Sequence, residues 1–452
     1  MPTFSPDALG AAIDLHLPRS ASQLCVAYSG GLDSTVLLSA LSRLRQAGKA
    51  FELRAVHIDH QLHARSGAWA EHCRRTSQRL AIPFTSVCVE VSLAGEGLEA
   101  AARKARYAAL RALLARDEVL LTAHHADDQL ETILLALMRG AGPKGLSGMP
   151  AAQRFAGGWL ARPLLAFRRC DLEAWAQAEH LDWISDPSND NASMDRNYLR
   201  HRIAPALNER WPAAASSAVR SGEHLAETAH LLEVLAGADL QAVSVGKCLD
   251  VERLRELDGA RRRNLLRFWL KSCGVRAPST RKLAAIDHDM LAAERDRLPS
   301  VRLDQMQLRR HRGLLYCVPL LPELSPVPIE WSMTASLELP AGLGRLHMQS
   351  ARGAGIAAAR LPALVQVRFR LGGERLQAAG DRHHRPLKKL LQDSRVLPWW
   401  RARLPLLHAG RELVAVGDLW VNAAFAAGPD EGGLRIVWEG KPEITAQDAR
   451  IA

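Results

Sequence analysis

The cysteines of this chain form no framework. There are seven in 452 residues, at positions 25, 73, 88, 170, 248, 273 and 317. The number is odd and no Cys-x-x-Cys occurs, which argues against a disulfide scaffold, a zinc ribbon and a cysteine-held iron–sulfur cluster. The compartment expected is the reducing cytoplasm. No apolar run approaches about 18 residues, so no transmembrane helix and no membrane partner are expected. Residues 1–17 lack a basic start followed by an apolar core, so no signal peptide is expected either. Negative charge is in the minority: 48 Asp and Glu stand against 59 Lys and Arg, a net charge of +11. That balance suits a polyanionic partner, nucleic acid before membrane. Hydrophobic residues at 48% and charged residues at 24% are those of a soluble globular protein. The length accommodates about three domains.

The glycine turn near the N-terminus also lacks something. No Gly-Lys-Ser/Thr closes it, so it is not a Walker A loop. It reads Tyr28-Ser29-Gly30-Gly31-Leu32-Asp33-Ser34-Thr35. An apolar run at 24–27 precedes it as a short buried strand. Leu37, Ala40, Leu41 and Leu44 follow with the spacing of one helix face. Paired glycines let the backbone approach a ligand with no Cβ in the way. The helix aims unpaired N–H groups and a partial positive charge at the same spot, making an anion site. Ser-Gly-Gly-x-Asp-Ser resembles the PP-loop of ATP pyrophosphatases, which split ATP into AMP and pyrophosphate. That resemblance implies ATP binding by Ser29, Gly30, Gly31, Leu32, Asp33 and Ser34, with Asp33 as the metal residue that helps place Mg2+.

Up to about residue 150, strand-like runs at 24–27, 53–58, 84–91 and 119–123 alternate with helical patterns at 34–47, 66–80 and 98–115. The rhythm predicts βαβ units and a doubly wound parallel sheet. Ligands of such sheets sit beyond the carboxyl ends of the strands. After the second strand comes Asp59-His60-Gln61-Leu62-His63, a pocket lining or a polar cap. After the fourth comes His124-His125-Ala126-Asp127-Asp128-Gln129-Leu130-Glu131-Thr132. Asp127 and Asp128 stand at a helix start, where acidic side chains are favoured. Glu131 lies one turn on, so three carboxylates crowd one helix end. A bound cation, metal or ammonium, is the expected explanation.

Residues 139–149 carry four glycines and two cations, and read as a mobile cationic loop. Asp186-Pro187-Ser188-Asn189 is a turn signal. Arg196 and Arg200 lie one helical turn apart and can grip phosphate. Within 251–313, sixteen Lys and Arg face eight Asp and Glu, densest at Arg261-Arg262-Arg263. Prolines at 319, 322, 326 and 328 mark a linker, and a Gly/Ala stretch at 351–359 suggests a second hinge. Within 368–403, ten Lys and Arg face three Asp and Glu, interleaved with Trp399 and Trp400. Cations for phosphates and aromatics for stacking are the ingredients of an RNA surface.

These landmarks, in this order, together with Leu387-Lys388-Lys389-Leu390-Leu391-Gln392-Asp393 and Pro398-Trp399, resemble the bacterial tRNA(Ile)-lysidine synthase family. The resemblance covers nearly the whole chain, and only 322–360 carry no landmark. It implies an α/β catalytic domain at 1–215, with a PP-loop, adenine nucleotide α-hydrolase-like sheet. A helical tRNA-binding middle domain at 216–320, a linker region at 321–360 and a small mixed α+β tRNA-binding domain at 361–452 follow. It implies two substrates besides ATP, free L-lysine and a tRNA(Ile) with a CAU anticodon. ATP adenylates the C2 oxygen of the wobble cytidine, and lysine then displaces AMP. The catalytic residues implied are Asp33, His124, Asp128, Glu131, Arg103 and Arg200. Asp128 and Glu131 form the lysine-binding pair, and His124 or a nearby carboxylate is the base. Arg196, Arg200, Lys388, Lys389, Arg395 and Arg401 are the tRNA-binding residues. A homodimer is compatible with the sequence, which leaves oligomeric state open. The rival readings are a tRNA thiolase, an amide-forming ligase and a non-catalytic tRNA-binding protein. The missing cysteine pairs, the basic regions and the complete loop beside an intact acidic cluster speak against them in turn.

Overall fold

The computed structural model describes residues 3–18, 21–92, 97–187, 193–276, 278–291 and 298–445. Ser188 and Asn189 of the expected turn lie outside the described residues. The chain divides into two compact units, Met1–Leu231 and Leu232–Ala452.

The first unit runs α1 (Pro6–His16), β1 (Gln23–Ala27), α2 (Leu32–Gln46), β2 (Glu52–Asp59), α3 (Ser66–Arg79), β3 (Phe84–Cys88), α4 (Leu98–Leu113) and β4 (Val119–Leu121). It continues with α5 (Ala126–Met138), α6 (Pro143–Leu146), β5 (Ala152–Phe155), β6 (Gly158–Ala161), α7 (Arg169–Ala178), α8 (Asp195–Tyr198) and α9 (Ala204–Arg210). The sheet order is β3-β2-β1-β4-β6-β5, parallel except for the β5–β6 hairpin. β1 is the central strand, and alternate residues serve opposite faces as the pleat requires. Leu24 and Val26 join the core under α1, α2 and α7, while Cys25 joins Val56, Leu110 and Leu120 on the other face. A strand buried on both faces reads as an unbroken apolar run, and that is how 24–27 is recognisable.

The β5–β6 hairpin carries no such signal. Its first strand, Ala-Gln-Arg-Phe, has two polar residues of four, and the turn after it puts Ala156 at φ +51°. β6 nevertheless pairs parallel with β4, the strand that leads into His124 and His125. Gly158 makes the pairing close: a Cβ there would stand 2.1 Å from the Glu118 carbonyl oxygen. The Glu118 side chain is itself buried, gripped at both oxygens by Arg54 at 2.6 and 2.7 Å.

The long helix α10 (Ala214–Val243) spans the division between units. In the second unit, helices α11 (Val251–Glu256), α12 (Gly259–Ser272) and α13 (Thr280–Ala285) pack on an antiparallel sheet. Its strands are β7 (Ser244–Val245), β8 (Cys248–Asp250), β9 (Ser300–Leu303), β10 (Met306–His311) and β11 (Leu314–Pro319), in the order β7-β8-β11-β10-β9. Helix and sheet share a core of Leu265, Leu266, Trp269, Leu308 and Leu315. Of the densest basic triplet, Arg261 pairs with Asp239 and Arg262 with Asp287, so two of the three cations tie helices together.

Residues 321–360, expected to be a linker, instead contribute β12 (Ile329–Trp331), β13 (Leu337–Glu338), β14 (Arg345–Arg352) and β15 (Ile356–Ala357). The remainder adds β16 (Val365–Phe369), β17 (Arg375–Leu376), β18 (Arg385–Pro386), α14 (Leu387–Asp393), β19 (Pro405–Ala409), β20 (Glu412–Val416), β21 (Trp420–Val421) and β22 (Gly432–Glu439). Three antiparallel sheets result, β12-β16-β19-β20-β21, β13-β14-β22-β15 and the pair β17-β18. The supposed hinge at 351–359 is the end of β14 plus β15, both paired with β22. Trp399 and Trp400 are each 7% exposed and lie in the core, not on a stacking platform. Trp399 meets Tyr316 edge-on at 5.1 Å.

Gly158→Ala tests whether the close β4–β6 approach is required. It should destabilise the first unit by about 1–3 kcal/mol, the ordinary cost of overpacking, read as a lower urea midpoint at unchanged slope.

Candidate active site

The sheet reverses its winding between β1 and β4, and the loops after these two strands therefore lie side by side at their carboxyl ends. The loop after β1 is held from several directions. Gly30 sits at φ +81°, and a Cβ there would lie 2.6 Å from Ile184 Cδ1 and 2.8 Å from Cys73 Sγ. The Gly30 carbonyl accepts from Ile184 N at 2.9 Å and Thr35 Oγ1 at 3.3 Å. Ser29 Oγ and Ser34 Oγ are 3.1 Å apart, and Ser34 Oγ also donates to the Gly31 carbonyl. Gly31 caps α2 with no side-chain partner for the helix N–H groups, so these remain available to an anion.

Asp33 stands in the first turn of α2. Burial pushes its carboxyl above the ordinary range, only partly countered by His125. Its Oδ1 is enclosed and has no hydrogen-bond partner. An enclosed carboxylate oxygen without a partner fits a hard cation such as Mg2+, which takes one or two carboxylates together with phosphate oxygens and water. No cluster of three or more His, Cys, Asp or Glu suited to a metal occurs among the described residues, so a bound phosphate would have to complete the shell.

The loop after β4 presents both histidines. Thr122 Oγ1 holds His124 Nδ1 at 2.9 Å. Burial, with Arg162, Arg196 and Arg103 nearby, pushes His124 down to about 3 against the pull of Asp128. His124 is thus neutral at physiological pH and a fixed hydrogen-bonding group, weak as a base. His125 is 2% exposed and caps α5. Its backbone N–H donates to Asp128 Oδ2 at 3.1 Å, and its Nδ1 accepts from the Asp128 N–H at 3.4 Å. Its Nε2 lies 3.5 Å from Asp128 Oδ2 and 3.7 Å from Asp33 Oδ2. His125 was not among the expected site residues. The signal for it is a capping box, a residue at a helix start answered by Asp three positions later.

The three clustered carboxylates do not act together, and their counter-ions belong to the chain. Asp127 turns away to accept from the Arg169 N–H at 2.8 Å, at the start of α7. Glu131, 2% exposed, takes Arg200 Nε at 2.7 Å on one oxygen and Arg196 Nε at 2.9 Å on the other. Arg200 Nη2 also reaches Asp128 Oδ1 at 2.9 Å. Burial alone would raise the Asp128 carboxyl; His125, His124, Arg196 and Arg200 outweigh it and hold the group at about 2. The cation that the sequence expects from outside is here supplied by Arg196 and Arg200. Their shared helical face is as expected, but it grips carboxylates within the first unit.

A cleft of about 610 Å3 joins these parts. Ser29, Gly31, Asp33, Ser34, His124 and Asp128 line one wall, and His60, His63, Trp69, Arg106 and Tyr107 the other. The Asp59–His63 segment is therefore pocket lining. Arg106 donates to His60 at 3.2 Å, while Arg103 lies over the Tyr107 ring at 5.0 Å. The expected mobile loop at 139–149 contains α6 and is pinned by buried Gln129, which donates to Ser147 and Met149 carbonyls and accepts from Met149 N. In the second unit, Lys388, Lys389 and Arg395 are exposed, as an RNA contact requires. Arg401 is half-buried and donates to the Val396 carbonyl at 2.9 Å, a structural contact.

Residues 9–207 match a PP-loop domain, residues 249–316 a TilS substrate binding domain, and residues 365–438 a TilS substrate C-terminal domain. A tRNA(Ile)-lysidine synthase of Alkalilimnicola ehrlichii is 44% identical over 442 residues, covering 97% of this chain and 98% of that protein. One of Coxiella burnetii is 42% identical over 419 residues, covering 92% and 93%. Among solved structures, the U34-tRNA thiolase NcsA of Methanococcus maripaludis aligns with 49% of this chain and 78% of its own, at 14% identity and a TM-score of 0.40. That likeness is too distant to bear on activity.

Arg200→Met leaves Glu131 and Asp128 buried with one arginine between them. It should cost about 3 kcal/mol, the lower end for breaking a buried pair, in urea unfolding. Combining it with Glu131→Gln should recover more than half of that loss.

Proposed function

The chain belongs to the tRNA(Ile)-lysidine synthase family, and from that premise we propose that one cleft performs both halves of its ligation. The enzyme is a ligase that forms a carbon–nitrogen bond, consumes ATP and converts a cytidine of tRNA(Ile) to lysidine. The observation that carries the reading is that the glycine loop, Asp33, His124 and Asp128 line a single cavity large enough for a nucleotide and a base.

In the first half, the N–H groups at the start of α2 and the hydroxyls of Ser29 and Ser34 hold the β- and γ-phosphates. Asp33 would hold Mg2+, which would supply neutralisation of phosphate charge. The C2 oxygen of the wobble cytidine attacks the α-phosphorus. An O–P bond forms, and the bond to the departing pyrophosphate breaks. The cytidine must leave the anticodon stack to reach this depth. In the second half, the ε-amine of lysine attacks C2, a C–N bond forms, and AMP leaves with the former C2 oxygen. Asp128 in the cleft lining, with Glu131 one turn along α5, is the pair proposed to attract the lysine ammonium, and engaging it there requires Arg196 or Arg200 to yield. The burial-lowered His124 serves better as a hydrogen-bond partner of the reacting base than as the group that deprotonates lysine. Lys388, Lys389 and Arg395 supply phosphate contacts for the tRNA.

With ATP, Mg2+, labelled lysine and unmodified CAU-anticodon tRNA(Ile), the protein should release AMP and place label in the RNA. AMP release with unlabelled RNA would assign the cleft to another PP-loop reaction. Asp33→Asn should abolish adenylation in this assay. Because it replaces a carboxylate that has one enclosed oxygen without a partner, it should also melt at or above the parent temperature without nucleotide.

Lys388→Ala with Lys389→Ala should weaken tRNA binding and lower the slope of log affinity against log salt by about 1–2, as lost phosphate contacts do. Adenylation at saturating tRNA should be retained. An unchanged slope would remove these lysines from the RNA surface.

A further inference from the structure

We infer that His125 is a positioning residue that fixes the separation of the Asp33 and Asp128 carboxylates, joining the phosphate end of the cleft to its amine end. The inference rests on the reading just given for those two carboxylates.

The two acids come from different elements. Asp33 follows β1 on α2, and Asp128 follows β4 on α5. The Asp33 carboxylate has no hydrogen bond and no ion-pair partner other than His125 among the described residues. Asp128 is held on its other oxygen by Arg200. The imidazole lies between them, 3.7 Å from Asp33 Oδ2 and 3.5 Å from Asp128 Oδ2 through one nitrogen, Nε2. Its other nitrogen is committed: Nδ1 accepts from the Asp128 N–H. An accepting Nδ1 puts the ring proton on Nε2, where it faces both carboxylates. His125 therefore has two separable tasks, one per nitrogen.

Capping alone does not account for the residue. Ser, Thr, Asp and Asn are the preferred N-caps, and each would satisfy the Asp128 N–H with a shorter side chain. None of them reaches Asp33. What the imidazole adds is length and a second polar atom on the far side of a rigid ring. That atom is buried, so its position is set by packing. Groups that orient carboxylate ligands from behind commonly contribute 10–100-fold to metal affinity or activity.

The separation of tasks gives the test. His125→Asn keeps a cap acceptor and loses the reach to Asp33. His125→Gln can carry an N–H to the Asp33 side. The full chain is assayed for adenylation, for Mn2+ binding in the presence of a non-hydrolysable ATP analogue by electron paramagnetic resonance, and for melting temperature. His125→Asn should melt within a few degrees of the parent and bind tRNA with unchanged affinity. Its adenylation turnover should fall at least tenfold, and its Mn2+ affinity by a similar factor. His125→Gln should restore part of both. His125→Asn with parental turnover and Mn2+ affinity would reduce His125 to a helix cap. His125→Asn melting far below the parent, with His125→Gln equally unstable, would assign the histidine to the fold; either result overturns the inference. If the parent protein itself fails to label tRNA, it is the assignment of function that falls.

Discussion

The first unit depends on how two buried carboxylates are compensated by two half-buried arginines. Asp128 and Glu131 are drawn inside at the start of α5, where a carboxylate without a partner is costly. Arg196 and Arg200, more than sixty residues further along, close on them from one helical face. Desolvating such a group of ions is expensive, and the arrangement survives because nearly every oxygen has a directed N–H donor. For stability alone an apolar packing would serve as well. Under the proposed function the charges are retained for a cationic substrate, and Arg196 and Arg200 are the side chains that hold its place.

The catalytic geometry follows from sheet topology more than from any one loop. Because β1 lies between β2 and β4, the glycine turn, the His57–His63 segment and His124 after β4 converge on one cleft without a long excursion of the chain. The opposite end of the same sheet carries the stabilising hardware, with Arg54 and Glu118 clasped where β2 and β4 begin. Functional groups at one end and structural ion pairs at the other divide the labour along the strands. Substitutions at the two ends should consequently have different phenotypes.

Much of this was legible in the amino-acid order. The strand at 24–27 is an unbroken apolar run because both its faces are buried, 53–58 is apolar at four of its six positions, and the glycine turn announces itself by Gly30 and Gly31. The β5–β6 hairpin was not legible, since its residues are half polar and only pairing with β4 makes a strand of them. Nor was the true character of 321–360. Its prolines separate β11 from β12, three of its four strands have only two or three residues, and the fourth, β14, is mostly polar. In the site, spacing revealed that Asp127, Asp128 and Glu131 share a helix end. It could not reveal that Asp127 faces α7, or that Arg196 and Arg200 arrive from elsewhere to neutralise the other two. Trp399 and Trp400 show the same limit. A tryptophan among cations reads equally well as a base-stacking surface or as core, and only tertiary contacts decide.

The contact of Trp399 with Tyr316 carries a consequence for how the second unit can change over time. Tyr316 belongs to β11 of the helix-bearing part, yet it packs with Trp399, Leu314 and Cys248 in the same apolar cluster as the C-terminal sheets. A cut or stop codon near residue 320 would strip this seam and expose greasy surface on both fragments. Loss of the tail alone would therefore leave Cys248, Leu314 and Tyr316 without the cover they have in the whole chain.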